Sequence, residues 1–385
     1  MSKPAQIVLA GMLVTFVLGS VHAFSVLLEP LETGLLLPRG KISLLYSIAL
    51  VAITLAVTAG YRLYTLVAPA WLVLCTGLVA AAGLWFAAGA SAWWQLVLGY
   101  SLAFGLANGI GYGYCLQLAG RVMPERRGVA MGAVTAAYAL GSILFARLFS
   151  WRIAVDSVGS ALAWLSGAVL MACLLAAVVM HLGQARYQLT GPTAIAPPQP
   201  PGRGLLWQYW FAYLTAVFAG LMAIGHAVSI ARAEGADITG LAGWAAVTVG
   251  CGSALGGFVA GWLVDRWPVS RFLVGLPMLS ALVLLAILFG SGVEWVLGLL
   301  SVVGFAYGAI IAIYPVAIAE CFGDAGARAY GRVFLAWGLA GLTAPWLAGV
   351  IYDWRGDYRL SIGIAALVAL LSAASAALFR LGKAG

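Results

Sequence analysis

His22-Ala23-Phe24-Ser25-Val26 lies toward the end of one long apolar run, and His226-Ala227-Val228-Ser229-Ile230 lies toward the end of another. The same order of residue types returns, so the two runs read as copies of one element. Outward from them the copying continues. From Gly34 to Gly60 is 26 residues, as it is from Gly235 to Gly261. Gly105-Leu106-Ala107-Asn108-Gly109 matches Gly304-Phe305-Ala306-Tyr307-Gly308. Three matches in the same order describe a chain built of two parallel repeats.

Composition says what the repeats are made of. Of 385 residues, 64% are hydrophobic and 8% charged, with a mean hydropathy of +1.04. A soluble domain keeps roughly a quarter of its residues charged. A chain this apolar must face lipid, and about 20 apolar residues of helix cross a bilayer. The runs are long and continuous, which excludes a barrel of short alternating strands. The spacing predicts six helices in the first half, over 5–29, 42–61, 65–89, 93–119, 128–149 and 158–182. Six more follow, over 207–231, 240–264, 271–290, 294–319, 328–351 and 358–380. The expected fold is therefore all-α, with 12 transmembrane helices in two pseudo-symmetric six-helix bundles. The bundles span residues 1–183 and 207–385, joined by a Pro-rich cytoplasmic linker over 184–206.

Charge then orients the chain. Lys and Arg are retained on the cytoplasmic side of a membrane protein. With both termini inside, 13 of the 20 basic residues fall on that side and 7 outside. The net charge of +8 thus reflects topology, and no nucleic acid partner is implied. The first run is read as a retained helix, because cleavage after Val21-His22-Ala23 would remove a member of the repeat. The five cysteines stand singly without metal spacing. No P-loop indicates an ATP-driven pump, and no cofactor is called for.

An ionisable group at the centre of a membrane helix costs about 2.5–3.5 kcal/mol, so each one needs a reason. His22 and His226 occupy matching positions and could exchange protons near neutral pH or, when protonated, attract a carboxylate. They could equally be neutral residues bonded to backbone at a helix crossing. Met222 and His226 share a helical face, a pairing that soft copper(I) would accept, but no second Met-rich cluster supports a metal path. Asn108, Tyr112, Tyr138, Tyr307 and Trp337 place polar or aromatic groups at or near mid-helix, where they either bridge helices or line a wet cavity. Arg147, near the outer end of its helix, could hold a carboxylate bidentately or snorkel to the headgroups.

GWLVDRWPVSR (Gly261–Arg271) resembles the cytoplasmic loop motif of the major facilitator superfamily. In that motif Gly261 permits close helix approach and Asp265 accepts charge-assisted bonds, so Gly261, Asp265, Arg266 and Arg271 are expected to form a cytoplasmic gate. The matching Gly60-Tyr61-Arg62-Leu63-Tyr64 of the first half lacks the acidic residue. GLMAIGHAVSIARAEG (Gly220–Gly235), HAFSVLLEPL (His22–Leu31), RVMPERRGVAMG (Arg121–Gly132) and the stretch Ile311–Gly349 resemble the oxalate/formate antiporter family, related to monocarboxylate transporters. The resemblance implies the two-domain facilitator fold, alternating access and small organic anions as substrates. It also implies cationic carboxylate ligands, an arginine where this chain has Gly257 and a lysine where it has Trp337. Both are missing, so a dianion such as oxalate would find little positive charge.

The expectation is a secondary transporter, not an enzyme, for a small organic anion of the monocarboxylate type, by proton symport or anion exchange. It is expected to be a monomer in the lipid bilayer of the plasma (bacterial inner) membrane. The missing cations leave an exporter of hydrophobic solutes as the alternative. A membrane-embedded sensor or enzyme would need catalytic clusters or an extramembrane domain, and no loop is long enough for a domain.

Overall fold

A computed structural model describes residues 2–123, 127–187, 203–235, 241–264, 266–322 and 326–381. The described residues form helices, turns and short connections, with no strand. The chain divides into two compact units, residues 1–191 and 192–385. In the first, α1 covers Lys3–Leu35, α2 Arg39–Leu66, α3 Pro69–Ala88, α4 residues 93–122, α5 Arg127–Val155 and α6 Val158–Leu182. In the second, α7 covers residues 203–233, α8 Ala242–Val264, α9 Val269–Phe289, α10 Val293–Phe322, α11 Gly326–Arg355 and α12 Arg359–Leu381. Among the described residues, 11 helices are long and apolar enough to cross a membrane. The twelfth rod, α4, passes through a π-helical stretch at Val97–Phe104 and then a Gly-rich segment bearing Asn108, Gln117 and Arg121. The protein is an integral membrane protein.

Packing repeats as the sequence does. Within the first unit α1 packs on α5, α2 on α4 and α3 on α6. Within the second the pairs are α7 with α11, α8 with α10 and α9 with α12. The repeated glycines explain one of these pairs. A Cβ at Gly109 would stand 2.3 Å from the Ile53 carbonyl oxygen, and one at Gly308 would stand 2.0 Å from that of Ser253. Only glycine lets those backbones approach so closely.

Two features depart from the runs read in the sequence. First, α1 tightens into a 3-10 turn at Gly19–Ala23 before resuming at Phe24, and α7 stops at Ile224 and resumes at Ala227. Both breaks fall on the repeated histidine segment. They are invisible in the apolar pattern because the broken turns are packed in protein, so polarity does not change across them. Gly19 is obligatory there, since a Cβ would lie 1.8 Å from the Tyr138 carbonyl oxygen. Second, several helices outrun their apolar stretches. α2 reaches Leu66, α5 Val155 and α11 Arg355, and α7 begins at Arg203 inside the expected linker. Arg152 and Arg355 lie in last turns, where a cation is favoured by the helix dipole. Residues 188–202 of the expected linker lie outside the described residues.

The junction of α1 and α2 is held by charge. Arg39, 6% exposed, lies 2.7 Å from Glu32 and 3.5 Å from Glu29. Of the 15 tryptophans, 12 are exposed, as suits rings at lipid and headgroup level, and Trp337 alone is buried, at 5% exposure.

Candidate functional site

In the first unit the break of α1 gathers four of the sequence-predicted residues. The Asn108 amide on α4 donates to the Leu18 carbonyl at 2.7 Å, at the point where the 3-10 turn begins. The Tyr138 hydroxyl on α5 donates to the Asn108 side-chain carbonyl at 3.0 Å. Tyr112, one turn along α4, packs its ring 4.7 Å from that of Tyr138. His22 meets Tyr138 edge-on at 5.6 Å between centroids. Asn108 is fully buried, whereas His22, Tyr112 and Tyr138 are half-buried and form the rim.

Two members escaped the sequence reading. The Tyr46 hydroxyl on α2 lies 2.7 Å from His22 Nδ1, and its ring stacks on Phe24 at 5.2 Å. Thr135 on α5 lies beside Tyr112 and donates its hydrogen to the Met131 carbonyl at 3.1 Å. Nothing in ISLLYSIAL (residues 42–50) distinguishes Tyr46 from the other aromatic residues. Arg147 stands apart from this group and is exposed, nine residues further along α5 than Tyr138.

In the second unit the predicted residues form two groups. His226 is fully buried at the break of α7. Its Nε2 lies 2.8 Å from the Pro345 carbonyl oxygen on α11, and its Nδ1 lies 3.0 Å from the Tyr358 hydroxyl just before α12. A carbonyl only accepts, so Nε2 carries hydrogen, and in the neutral ring Nδ1 accepts from Tyr358. The structure thus places His226 as a tether among three helices, and its lone pair is taken before Met222 could share a metal with it. The other group is a pair. The Trp337 indole on α11 donates to the Tyr307 hydroxyl on α10 at 2.8 Å. Phe334 stacks on Trp337, with centroids 5.3 Å apart and planes within 8°.

Comparison with known proteins supplies the frame for these groups. Residues 209–384 match the family model described as Major Facilitator Superfamily. Over 98% of this chain and 96% of the other, the fold superposes with a TM-score of 0.74 at 14% identity on a solved structure. That structure is a bacterial homolog of the human lysosomal transporter Spinster, in an inward-facing and unoccupied conformation. The chain has the major facilitator fold. The oxalate:formate antiporter of Oxalobacter formigenes is 26% identical over 281 residues, 68% of this chain and 65% of that one. Human monocarboxylate transporter 11 is 29% identical over 320 residues, 75% of this chain and 64% of that one. The chain therefore matches a little under two thirds of the length of each.

The loop expected to gate the cytoplasmic side is partly described. Gly261 is half-buried, with open space where a Cβ would stand. Asp265 lies outside the described residues. Arg266 turns back on its own helix, donating to the Trp262 carbonyl at 3.0 Å with its guanidinium 3.8 Å from the Trp262 ring centroid. Arg271 is exposed in the first turn of α9. At Gly257, the position of the missing arginine, a Cβ would meet the Gly308 carbonyl oxygen at 3.6 Å, an ordinary contact. The backbone there would accept a Cβ without displacement. The lysine's counterpart, Trp337, is committed to Tyr307.

Proposed function

We propose that the protein carries small monocarboxylates across the membrane by alternating access, as proton symport or anion exchange. The observation that carries this reading is the rim of His22, Tyr112 and Tyr138 over Asn108, a hydrogen-bonding surface without fixed charge at a broken helix. Transporter sites are commonly built where spanning helices are interrupted, because the break frees backbone groups at membrane depth. A neutral polar rim suits a ligand with one carboxyl group, and Gly257 and Trp337 remove the cations that a dicarboxylate needs. Both relatives carry small carboxylates by name, which agrees with this class. We place both termini in the cytoplasm of a bacterial inner membrane, following the distribution of Lys and Arg, and Gly261, Asp265, Arg266 and Arg271 at the cytoplasmic gate.

The stacked Phe334 and Trp337 favour one rival, an exporter of hydrophobic solutes. Flux in proteoliposomes separates the two. Uptake of labelled lactate or propionate that saturates and is competed by other short monocarboxylates supports the proposal. Dye efflux from expressing cells, with no saturable acid flux, replaces it with the rival.

A further inference from the structure

The repeat supplies two histidines, and the structure treats them differently. His226 is fully buried, with its ring nitrogens engaged by the Pro345 carbonyl and the Tyr358 hydroxyl. His22 stands near the end of the 3-10 turn in α1 and is half-buried on the rim over Asn108. Its Nδ1 lies 2.7 Å from the Tyr46 hydroxyl, and Tyr138 meets it edge-on at 5.6 Å between centroids. Among the described residues no group bonds its Nε2. A tyrosine hydroxyl accepts as well as donates, so the neutral ring can keep its hydrogen on Nδ1 and leave a lone pair at Nε2. That lone pair, on the ring edge away from Tyr46, can take up a proton.

We propose that His22 binds proton and substrate together, Nε2 taking a proton from water and donating the resulting N–H to the substrate carboxylate. The inference rests on the monocarboxylate reading above and, within it, selects proton symport. Charge balance is the argument. The ionisable groups around His22 are Tyr46 from α2, Tyr100 and Tyr112 from α4 and Tyr138 from α5. Tyrosines carry no charge near pH 7. Arg147 on α5 is nine residues beyond Tyr138 and exposed. On α1 the next acid is Glu29, seven residues further and paired with Arg39. An imidazolium here has no counter-ion of its own, and a buried charge without one is costly. A carboxylate alone at the same place meets the same cost. Proton and carboxylate therefore enter favourably only as a pair, and the loaded site is neutral. When the carboxylate leaves on the far side, the proton at Nε2 returns to water.

The test is titration calorimetry of the purified protein with lactate, run in two buffers of different ionisation enthalpy, which counts the protons taken up per lactate bound. At pH 7 about one proton is expected, and with one proton linked the dissociation constant rises about tenfold from pH 7 to pH 8. His22→Gln cannot become charged, so it should take up no proton and bind at least tenfold more weakly at pH 6. A second measurement needs no change at the site. In protein labelled with 15N-histidine and carrying His181→Gln, which removes the exposed histidine, lactate should convert one of the two remaining rings to the imidazolium pattern. Lactate binding by the wild type without proton uptake overturns the proposal. Uptake that persists in His22→Gln, or that leaves both labelled rings neutral, also overturns it by placing the proton on another group or on the lactate itself. No saturable binding of lactate or propionate at any pH would instead reject the monocarboxylate reading beneath it.

Discussion

Tyr138 and Trp337 are counterparts. Each is an aromatic donor on the fifth helix of its half, and each bonds a residue 30 positions earlier, Asn108 at 3.0 Å and Tyr307 at 2.8 Å. The sequence repeat already pairs Asn108 with Tyr307, so one interaction has been kept through duplication while the residue at both positions changed. What changed is the sense of the hydrogens. Tyr138 has given its hydrogen away, whereas Tyr307 accepts one from an indole and keeps its own to donate elsewhere.

That difference predicts unequal penalties. Tyr138→Phe leaves the buried Asn108 oxygen without its donor, costing about 1–3 kcal/mol. Trp337→Phe keeps an aromatic ring beside Phe334 and removes the donor to Tyr307, at about 1 kcal/mol. Thermal unfolding of the two variants in detergent should rank Tyr138→Phe as the less stable. The opposite ranking would mean that the volume lost at Trp337 dominates.

His226→Gln should act on stability. Gln cannot reach both the Pro345 carbonyl and the Tyr358 hydroxyl, so one buried group loses its partner at about 1–3 kcal/mol. The unfolding midpoint is expected to drop while the pH profile of transport keeps its shape. A pH profile that collapses in this variant would restore His226 to a coupling role.

Gly257→Arg should add a function. The backbone there accepts a Cβ at an ordinary 3.6 Å contact, so the cost in fold is small. A guanidinium can grip a carboxylate by charge-assisted bonds. Binding of a dicarboxylate such as succinate is expected to tighten at least tenfold, about 1.4 kcal/mol. Titration calorimetry on wild type and variant reads this directly, and unchanged affinity would show that position 257 does not meet the substrate.

Arg39→Gln should loosen the junction of α1 and α2 by stranding Glu29 and Glu32 at a partly buried position, at about 3 kcal/mol. Adding Glu32→Gln should recover much of the loss. If the double variant melts no higher than the single one, the ion pairs are not what holds the junction.

The helices were legible because lipid imposes long apolar runs, and the duplication was legible because glycines at close crossings tolerate no replacement, as at Gly109 and Gly308. The candidate residues divide by the kind of signal they give. Asn108, Tyr112, Tyr138 and His22 stand out as polar groups in apolar surroundings, and they do lie together. Tyr46 and Thr135 were missed because a tyrosine and a threonine in a helix give no sign of what they touch. Arg147 drew notice by its charge alone, yet it lies in an exposed position. The breaks at Gly19–Ala23 and Gly225-His226 could not be read because hydrophobicity reports the environment of a segment and not its backbone path.

The isolation of Trp337 has a practical consequence. Its indole is shielded, while the other 14 are exposed or half-buried. Brominated lipids or an aqueous quencher should extinguish most of their fluorescence and leave a residual emission dominated by this one ring. The unlabelled protein therefore carries an intrinsic optical reporter on the α10–α11 contact, and ligand-dependent changes in that residual signal can be followed without introducing a probe.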